Sequence, residues 1–132
     1  MTTVNEARYA IIDYFFTEWA SLTPIAFENQ STDLSDGNAS WVRLSIVPTV
    51  QAGATIGERR RYEISGRINV ETFSNENSTE ETSDLLNRVL EIFQGARITG
   101  VRIYDGDFGQ SFADGKWWKS SVSFIYQFDA RR

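Results

Sequence analysis

Histidine and cysteine are both absent from this sequence of 132 residues, and proline, with 2 residues, and methionine, with 1, are scarce. Without them the chain has no disulfide, no Cys/His zinc site and no nucleophile of the Ser–His or Cys–His kind. Long apolar runs are also lacking, because the best one, residues 9–16, is interrupted by Asp13 and is too short to cross a bilayer. What survives is chemistry by carboxylates or by Lys, Arg, Tyr and Ser, or no chemistry at all. We start from binding or assembly, and expect no catalytic residues, no metal, no cofactor and no membrane partner.

Apolar and aromatic residues, in contrast, are abundant. Hydrophobic residues make up 41% of the chain and aromatic residues 14%, which is enough material for a buried core in one domain, residues 1–132. The net charge of -5 argues against a general nucleic-acid binder. The first ten residues lack the basic and apolar regions of a signal peptide, so the sequence predicts a protein that stays in the cytoplasm.

Two segments have the periodicity of amphipathic helices. In residues 5–22, apolar residues recur at spacings of three and four, and Pro24 follows. Residues 78–81 read Ser-Thr-Glu-Glu, a capping box that predicts the start of a second helix with its apolar stripe in residues 85–93. The predicted buried stripe of the first helix consists of Ile11, Ile12, Phe15, Phe16, Trp19 and Leu22.

Five further segments are extended or alternate between apolar and polar residues, as strands do: 25–28, 41–47, 60–73, 98–104 and 117–128. Strands with one apolar and one polar face are typical of antiparallel sheets and not of the parallel sheets of doubly wound folds. We therefore predict an α+β fold with a mainly antiparallel sheet of about four to five strands and two helices packed on one face, in the order α-β-β-β-α-β-β. Pro48 is expected to stop the pairing of its strand.

The sheet face away from the helices would be open, and the alternation places Trp41, Trp117 and Ile125 on it. A subunit contact would cover such residues, although scattered surface aromatics are an equally good interpretation. Residues 48–58, rich in Gly and Ala, are expected to form a loop that orders on contact, or an ordinary mobile hairpin tip.

Two clusters admit a chemical interpretation. Asp105, Asp107 and Asp114 would hold magnesium in a carboxylate-dependent nuclease, but an ordinary acidic hairpin loop is favoured. Residues 59–61 are three arginines, and with Arg67 and Lys116 they would make a DNA-binding patch, whereas an ion-paired strand edge or a protein contact is the more usual role.

Several segments, in their order, resemble the small tail-terminator, or tail-completion, proteins of long-tailed bacteriophages, similar to the lambda minor tail protein U group. The resemblance rests on the amphipathic start, IAFENQ (25–30), WVRLSIVP (41–48), RRRYEISGRINVETF (59–73), the helix at 85–93 and DGKWWKSSVSFIYQF (114–128). Together these segments span most of the chain.

The resemblance implies a structural virion protein without chemistry. Its subunits would form a sixfold ring on the last ring of the tail tube, stop tube polymerisation and present the head-joining surface. The implied partners are other copies of the chain in a hexamer, the tail tube protein, and a head-completion or connector protein, with DNA passing through the lumen without specific binding. The location would be the head-proximal end of the tail, after assembly in the host cytoplasm; a head–tail connector or neck protein is the alternative.

Charge is unevenly distributed along the sequence. Residues 71–84 contain five acidic residues and no Lys or Arg, whereas residues 59–61 are all arginine. Such separation suits head-to-tail subunit contacts in a ring. The candidate residues for subunit or tail-tube contact are Trp41, Val50, Gln51, Ile56, Arg59, Arg60, Arg61, Trp117 and Ile125.

Overall fold

The computed structural model describes residues 3–20, 22–27, 40–53, 61–75, 79–94, 96, 98, 100–114 and 117–131. Within these residues the chain forms two helices and six strands. They are, in order, α1 (Val4–Trp19), β1 (Ile25–Phe27), β2 (Trp41–Gly53), β3 (Arg61–Asn75), α2 (Thr79–Phe93), β4 (Arg102–Phe108), β5 (Phe112–Asp114) and β6 (Trp117–Arg131).

The sheet confirms the predicted α+β class. Its strand order is β1-β2-β3-β6-β4, and β5 also pairs with β6. β1 runs parallel to β2, whereas the other pairs are antiparallel, so the sheet is mixed. The described strands number six and not four or five, because residues 112–114 fold back onto the start of β6 as an additional short strand.

Both helices pack on one face of the sheet, as predicted. The buried stripe of α1 has a regular spacing of four residues: Ala7, Ile11, Phe15 and Trp19. The prediction of burial is wrong for two members of the stripe, since Phe16 is 49% exposed and Leu22 is 57% exposed. A stripe with that spacing leaves Phe16 beside the core, where its ring packs against Phe27 of β1 with centroids 5.3 Å apart and stays half-exposed. The helix ends at Trp19 with Ala20 in a left-handed conformation (φ 52°), so Leu22 lies beyond it.

The core between helices and sheet is aromatic and aliphatic. Phe15 stacks on Phe93 of α2 with ring centroids 5.5 Å apart, and Phe93 lies 5.1 Å from Phe124 of β6. These contacts join both helices to the central strands. The other fully or nearly fully buried members are Ala7, Ile11, Trp19, Val42, Leu44, Ile46, Ile68, Val70, Leu85, Val89, Ile92, Val101, Val122, Tyr126 and Phe128.

The two helices are also joined at the surface. Arg88 of α2 donates a hydrogen bond of 2.6 Å to the backbone carbonyl of Glu18 at the end of α1. The last carbonyls of a helix have no partner within the helix and carry a partial negative charge, and the last turn of α1 contains no basic residue. Arg88 of α2 therefore supplies a cation to the last turn of α1, which has no basic residue of its own.

Pro48 does not end β2, which corrects the expectation from the sequence. β2 continues to Gly53 through a bulge between Pro48 and Val50, where the hydroxyl of Thr49 donates to the carbonyl of Ser65 (3.2 Å). β1 pairs with residues 42–44, so among the described strands β2 is an edge strand at Pro48, where the missing N–H is tolerated. Val50 and Gln51, predicted as loop residues, are therefore strand residues.

Within the described part of the chain, neither helix is long and apolar enough to cross a membrane.

Candidate interaction surface

The face of the sheet opposite the helices begins, at one end, with an aromatic cluster. Trp41 stacks on Phe73 with ring centroids 3.9 Å apart, and Trp117 meets Trp41 edge-on at 6.3 Å. Together with Ala26 they form a second buried cluster, in which Trp41 is 3% exposed and Trp117 4%. The expectation that both tryptophans are exposed on an open face is therefore wrong, since the rings bury one another.

Two cations lie over this cluster. The guanidinium of Arg43 is 5.3 Å from the centroid of Trp41, and the ammonium of Lys119 is 5.7 Å from that of Phe73. Lys119 also forms an ion pair of 2.7 Å with Glu71. A cation over an aromatic ring contributes about 0.5–2 kcal/mol. These contacts therefore stabilise the aromatic cluster within a single subunit.

Further along the same face, one row of side chains crosses the sheet and stays exposed. Val47 of β2, Arg67 of β3 and Ile125 of β6 are paired in register, and Tyr104 of β4 follows the Ile103–Tyr126 pair and so lies beside Ile125. Val47 is 43%, Ile125 40% and Tyr104 46% exposed. We call these four residues the open-face band.

The band lies between two irregularities of the ladder. One is the bulge that follows Val47, and the other falls between Ile103 and Gly106, at Tyr104. Bulges bend a strand and change the direction of its side chains, and they are frequent next to functional sites. These two irregularities of the backbone therefore influence the direction of the side chains at both ends of the open-face band.

Tyr104 is held in place by a polar network. Its hydroxyl donates to Oε1 of Gln127 (2.8 Å), and Arg102 forms ion pairs with Glu63 (3.7 Å) and Asp129 (3.6 Å). Burial lowers the pKa of Arg102, but the hydrogen bond with Tyr104 and the attraction of Asp129 outweigh it, so the pKa is raised. An exposed aromatic ring with a fixed orientation loses little conformational entropy when it is covered.

The composition of the band is that of a protein interface. Tyr and Arg are enriched at the centres of such interfaces, where apolar neighbours exclude water around them. Arg67 is exposed and has no ion-pair partner among the described residues, so its charge is available to a second molecule.

The two layers of the molecule differ in charge. The helices carry 7 acidic and 2 basic residues, so their net charge of -5 equals that of the whole chain. The rest of the chain carries 11 acidic and 11 basic residues. The helix layer is thus acidic, whereas the remainder is neutral. The acidic residues of the helix layer are Glu6, Asp13, Glu18, Glu80, Glu81, Asp84 and Glu91.

The predicted contact residues do not all come together. Ile125 lies in the band, whereas the two tryptophans lie at one end of the sheet. The backbones of Val50, Gln51 and Arg61 lie towards the opposite end, where β2 and β3 extend beyond the band. The remaining three, Ile56, Arg59 and Arg60, lie outside the described residues.

The acidic residues of the nuclease interpretation are separated by the ladder. Asp107 pairs with Ser123 and Asp114 with Trp117, six residues apart on β6, which corresponds to about 20 Å of strand. Backbone positions that far apart argue against one shared magnesium ion, whose oxygen ligands lie about 2 Å away. Among the described residues, no three acidic side chains are close enough to hold a metal ion.

Lys116, from the basic patch, is outside the described residues.

A cleft of about 360 Å³ lies between the start of α1 and the sheet. Arg8, the charged member of its described lining, donates to the backbone carbonyl of Ile46 (3.3 Å). The cation thus helps to fix α1 on β2. The cleft is lined by Val4, Asn5, Arg8, Tyr9, Ile46, Pro48 and Tyr126.

Comparison with known proteins gives a fold and no function. No family model and no curated protein matches this chain. One solved structure, whose name carries no functional description, is similar over 92% of this chain and 94% of that chain, with a TM-score of 0.58 and 16% sequence identity. At this identity the likeness shows the fold alone.

Proposed function

We propose that this protein is a structural subunit of a long-tailed bacteriophage, of the tail-terminator or tail-completion kind. Its copies form a ring that caps the tail tube, ends tube polymerisation and provides the surface to which the head joins. The ring is part of the virion, at the head-proximal end of the tail. The identity of the assembly is inferred from the six segments that resemble this family.

The observation that carries the proposal is the open-face band. The exposed aliphatic side chains of Val47 and Ile125 flank Arg67, and a polar network orients Tyr104 beside Ile125. A monomer gains nothing from exposing these groups in one row, whereas a subunit interface buries them and stabilises the assembly by roughly 25 cal/mol per Å² of apolar surface removed from water.

The charge difference between the two layers supports the same role. A terminator has to bind the tube with one surface and present a different surface to whatever follows, because otherwise the tube would continue to grow. A subunit with an acidic helix layer and a neutral sheet face has two such surfaces. Heterologous contacts between unlike surfaces close into a ring when the rotation between subunits allows it.

The proposal is tested by polymerising the tail tube protein of the same virus with and without this protein. We expect rings at tube ends in negative-stain images and tubes that stop growing. Ile125→Glu should reduce capping, whereas Asn87→Glu, which adds the same charge to an exposed position of α2, should not.

Light scattering of the free protein completes the test by showing whether the ring forms before it docks. Tubes that grow unchanged in the presence of the protein would overturn the proposal. Binding to the head or its portal in place of the tube would overturn the terminator role and indicate a connector.

A further inference from the structure

The outer side of α1 carries an exposed stripe of three residues. Tyr9, Asp13 and Phe16 follow one another at spacings of four and three, so they lie on one side of the helix, opposite its buried stripe. Tyr9 is 63% exposed, Phe16 is 49% exposed, and Asp13 is also exposed. One side of the Phe16 ring packs against Phe27 of the same copy, with centroids 5.3 Å apart, which leaves about half of its surface to a second molecule. We call these residues the α1 stripe: two aromatic rings with a carboxylate between them.

The α1 stripe matches three of the four residues of the open-face band in spacing. Neighbouring strands lie about 4.8 Å apart, so Val47, Arg67 and Ile125 span about 10 Å across the sheet, with the arginine in the middle. With a rise of about 1.5 Å per residue, the stripe also spans about 10 Å, with Asp13 near its middle.

The charges match as well. Arg67 lies between Val47 and Ile125, and Asp13 lies between Tyr9 and Phe16. Neither charged residue has an ion-pair partner among the described residues. An acidic helix layer against a neutral sheet face also avoids the repulsion that two helix layers would meet.

We propose that the α1 stripe of one copy lies across the open-face band of a second copy, with Asp13 facing Arg67. The aromatic rings of the stripe then pack against the aliphatic side chains of the band, and α1 crosses the strands nearly at a right angle. This inference rests on the proposed function, since it states how the subunits of the ring meet. Each copy offers one stripe and one band, so the contact is heterologous and propagates head to tail.

Charge reversal tests the pairing. Asp13→Arg and Arg67→Glu should each weaken self-association about tenfold, because each places like charges opposite one another, and the double variant should restore it. Glu18→Arg is the matched control, since it makes the same charge change on α1 at a residue outside the stripe. Two single variants that both leave association unchanged, or a double variant that is no better than either, would overturn the inference. Sedimentation equilibrium provides the measurement.

Cross-linking gives a second readout that also detects weak association. The chain has no native cysteine, so Asp13→Cys and Arg67→Cys copies can each be labelled at one site only. We expect a short bismaleimide to join the two kinds of copy in a mixture more efficiently than either kind to itself. Equal yields for the mixed and the like pairs, or no cross-linking, would contradict the proposed contact.

The same samples, applied to growing tail tubes, separate this inference from the proposed function. Rings on tubes together with no cross-link between stripe and band would overturn the contact and leave the terminator role standing. A specific cross-link together with tubes that are never capped would support the contact and overturn the terminator role.

Discussion

At the scale of single residues, Gly66 is a position where the core has no space for a side chain. A Cβ atom there would lie 2.5 Å from the ring of Tyr126, which is 1% exposed. We predict that Gly66→Ala lowers the free energy of unfolding by about 1–3 kcal/mol, because the buried ring has to shift. Urea denaturation measures the change.

Two further variants isolate the cause. Ser65→Ala, at the next position of β3 but on its other face, should leave the unfolding free energy nearly unchanged. Tyr126→Leu removes the ring, so adding Gly66→Ala to it should cost less than Gly66→Ala alone. Equal costs in both backgrounds would show that the ring is not the obstacle.

The tryptophans show how far alternation alone predicts a residue's environment. The period of two places Trp41 and Trp117 correctly on the face opposite the helices. It does not predict their burial, which depends on Phe73 being the register partner of Trp41 and on cations from two strands. Register is a non-local property, so a single strand pattern does not contain it.

At the scale of elements, Arg88 joins the two helices through its hydrogen bond to the Glu18 carbonyl. It also forms an exposed ion pair of 3.3 Å with Glu91 on its own helix. We predict that Arg88→Met destabilises the protein by about 1–2 kcal/mol, because the end of α1 loses its cationic partner. Thermal and urea unfolding measure the loss.

Glu91→Gln is the matched control because it removes only the ion pair, and exposed pairs within a helix contribute about 0.3–0.5 kcal/mol. The control should therefore change stability by no more than that. If both variants cost the same, the contact between the helices contributes nothing and this interpretation of Arg88 fails.

Element type was more predictable from the sequence than element ends. Periodicity identified both helices and the long strands, because burial on one face imposes a period that the residues themselves carry. Pro48 misled the prediction of where β2 ends, since a proline in a strand is tolerated at an edge with a bulge. Whether a strand lies at the edge of a sheet depends on whether another strand pairs beside it. The local sequence does not determine this.

At the scale of the whole molecule, the open-face band was the least predictable feature. Of its four members only Ile125 was predicted as a contact residue, and Tyr104 joins the band because β6 inserts between β3 and β4. The charge asymmetry, in contrast, follows directly once the two helices are assigned, since they account for the net charge of -5. Composition therefore predicts the charge of a layer better than it predicts which residues meet.

The sign of the salt dependence of self-association follows from this charge distribution. If the acidic helix layer of one copy meets the neutral sheet face of the next, with Asp13 against Arg67, the electrostatic term is attractive, and we predict that salt weakens the association. Raising ionic strength from about 0.01 M to about 0.1 M shortens the Debye length from about 30 Å to about 10 Å, so the effect falls within an accessible range. Sedimentation equilibrium across that range measures it, with Asp13→Asn as the control that should flatten the dependence. Association that strengthens with salt would contradict this prediction, because it would mean that the net repulsion between copies of charge -5 outweighs the attraction of Asp13 and Arg67.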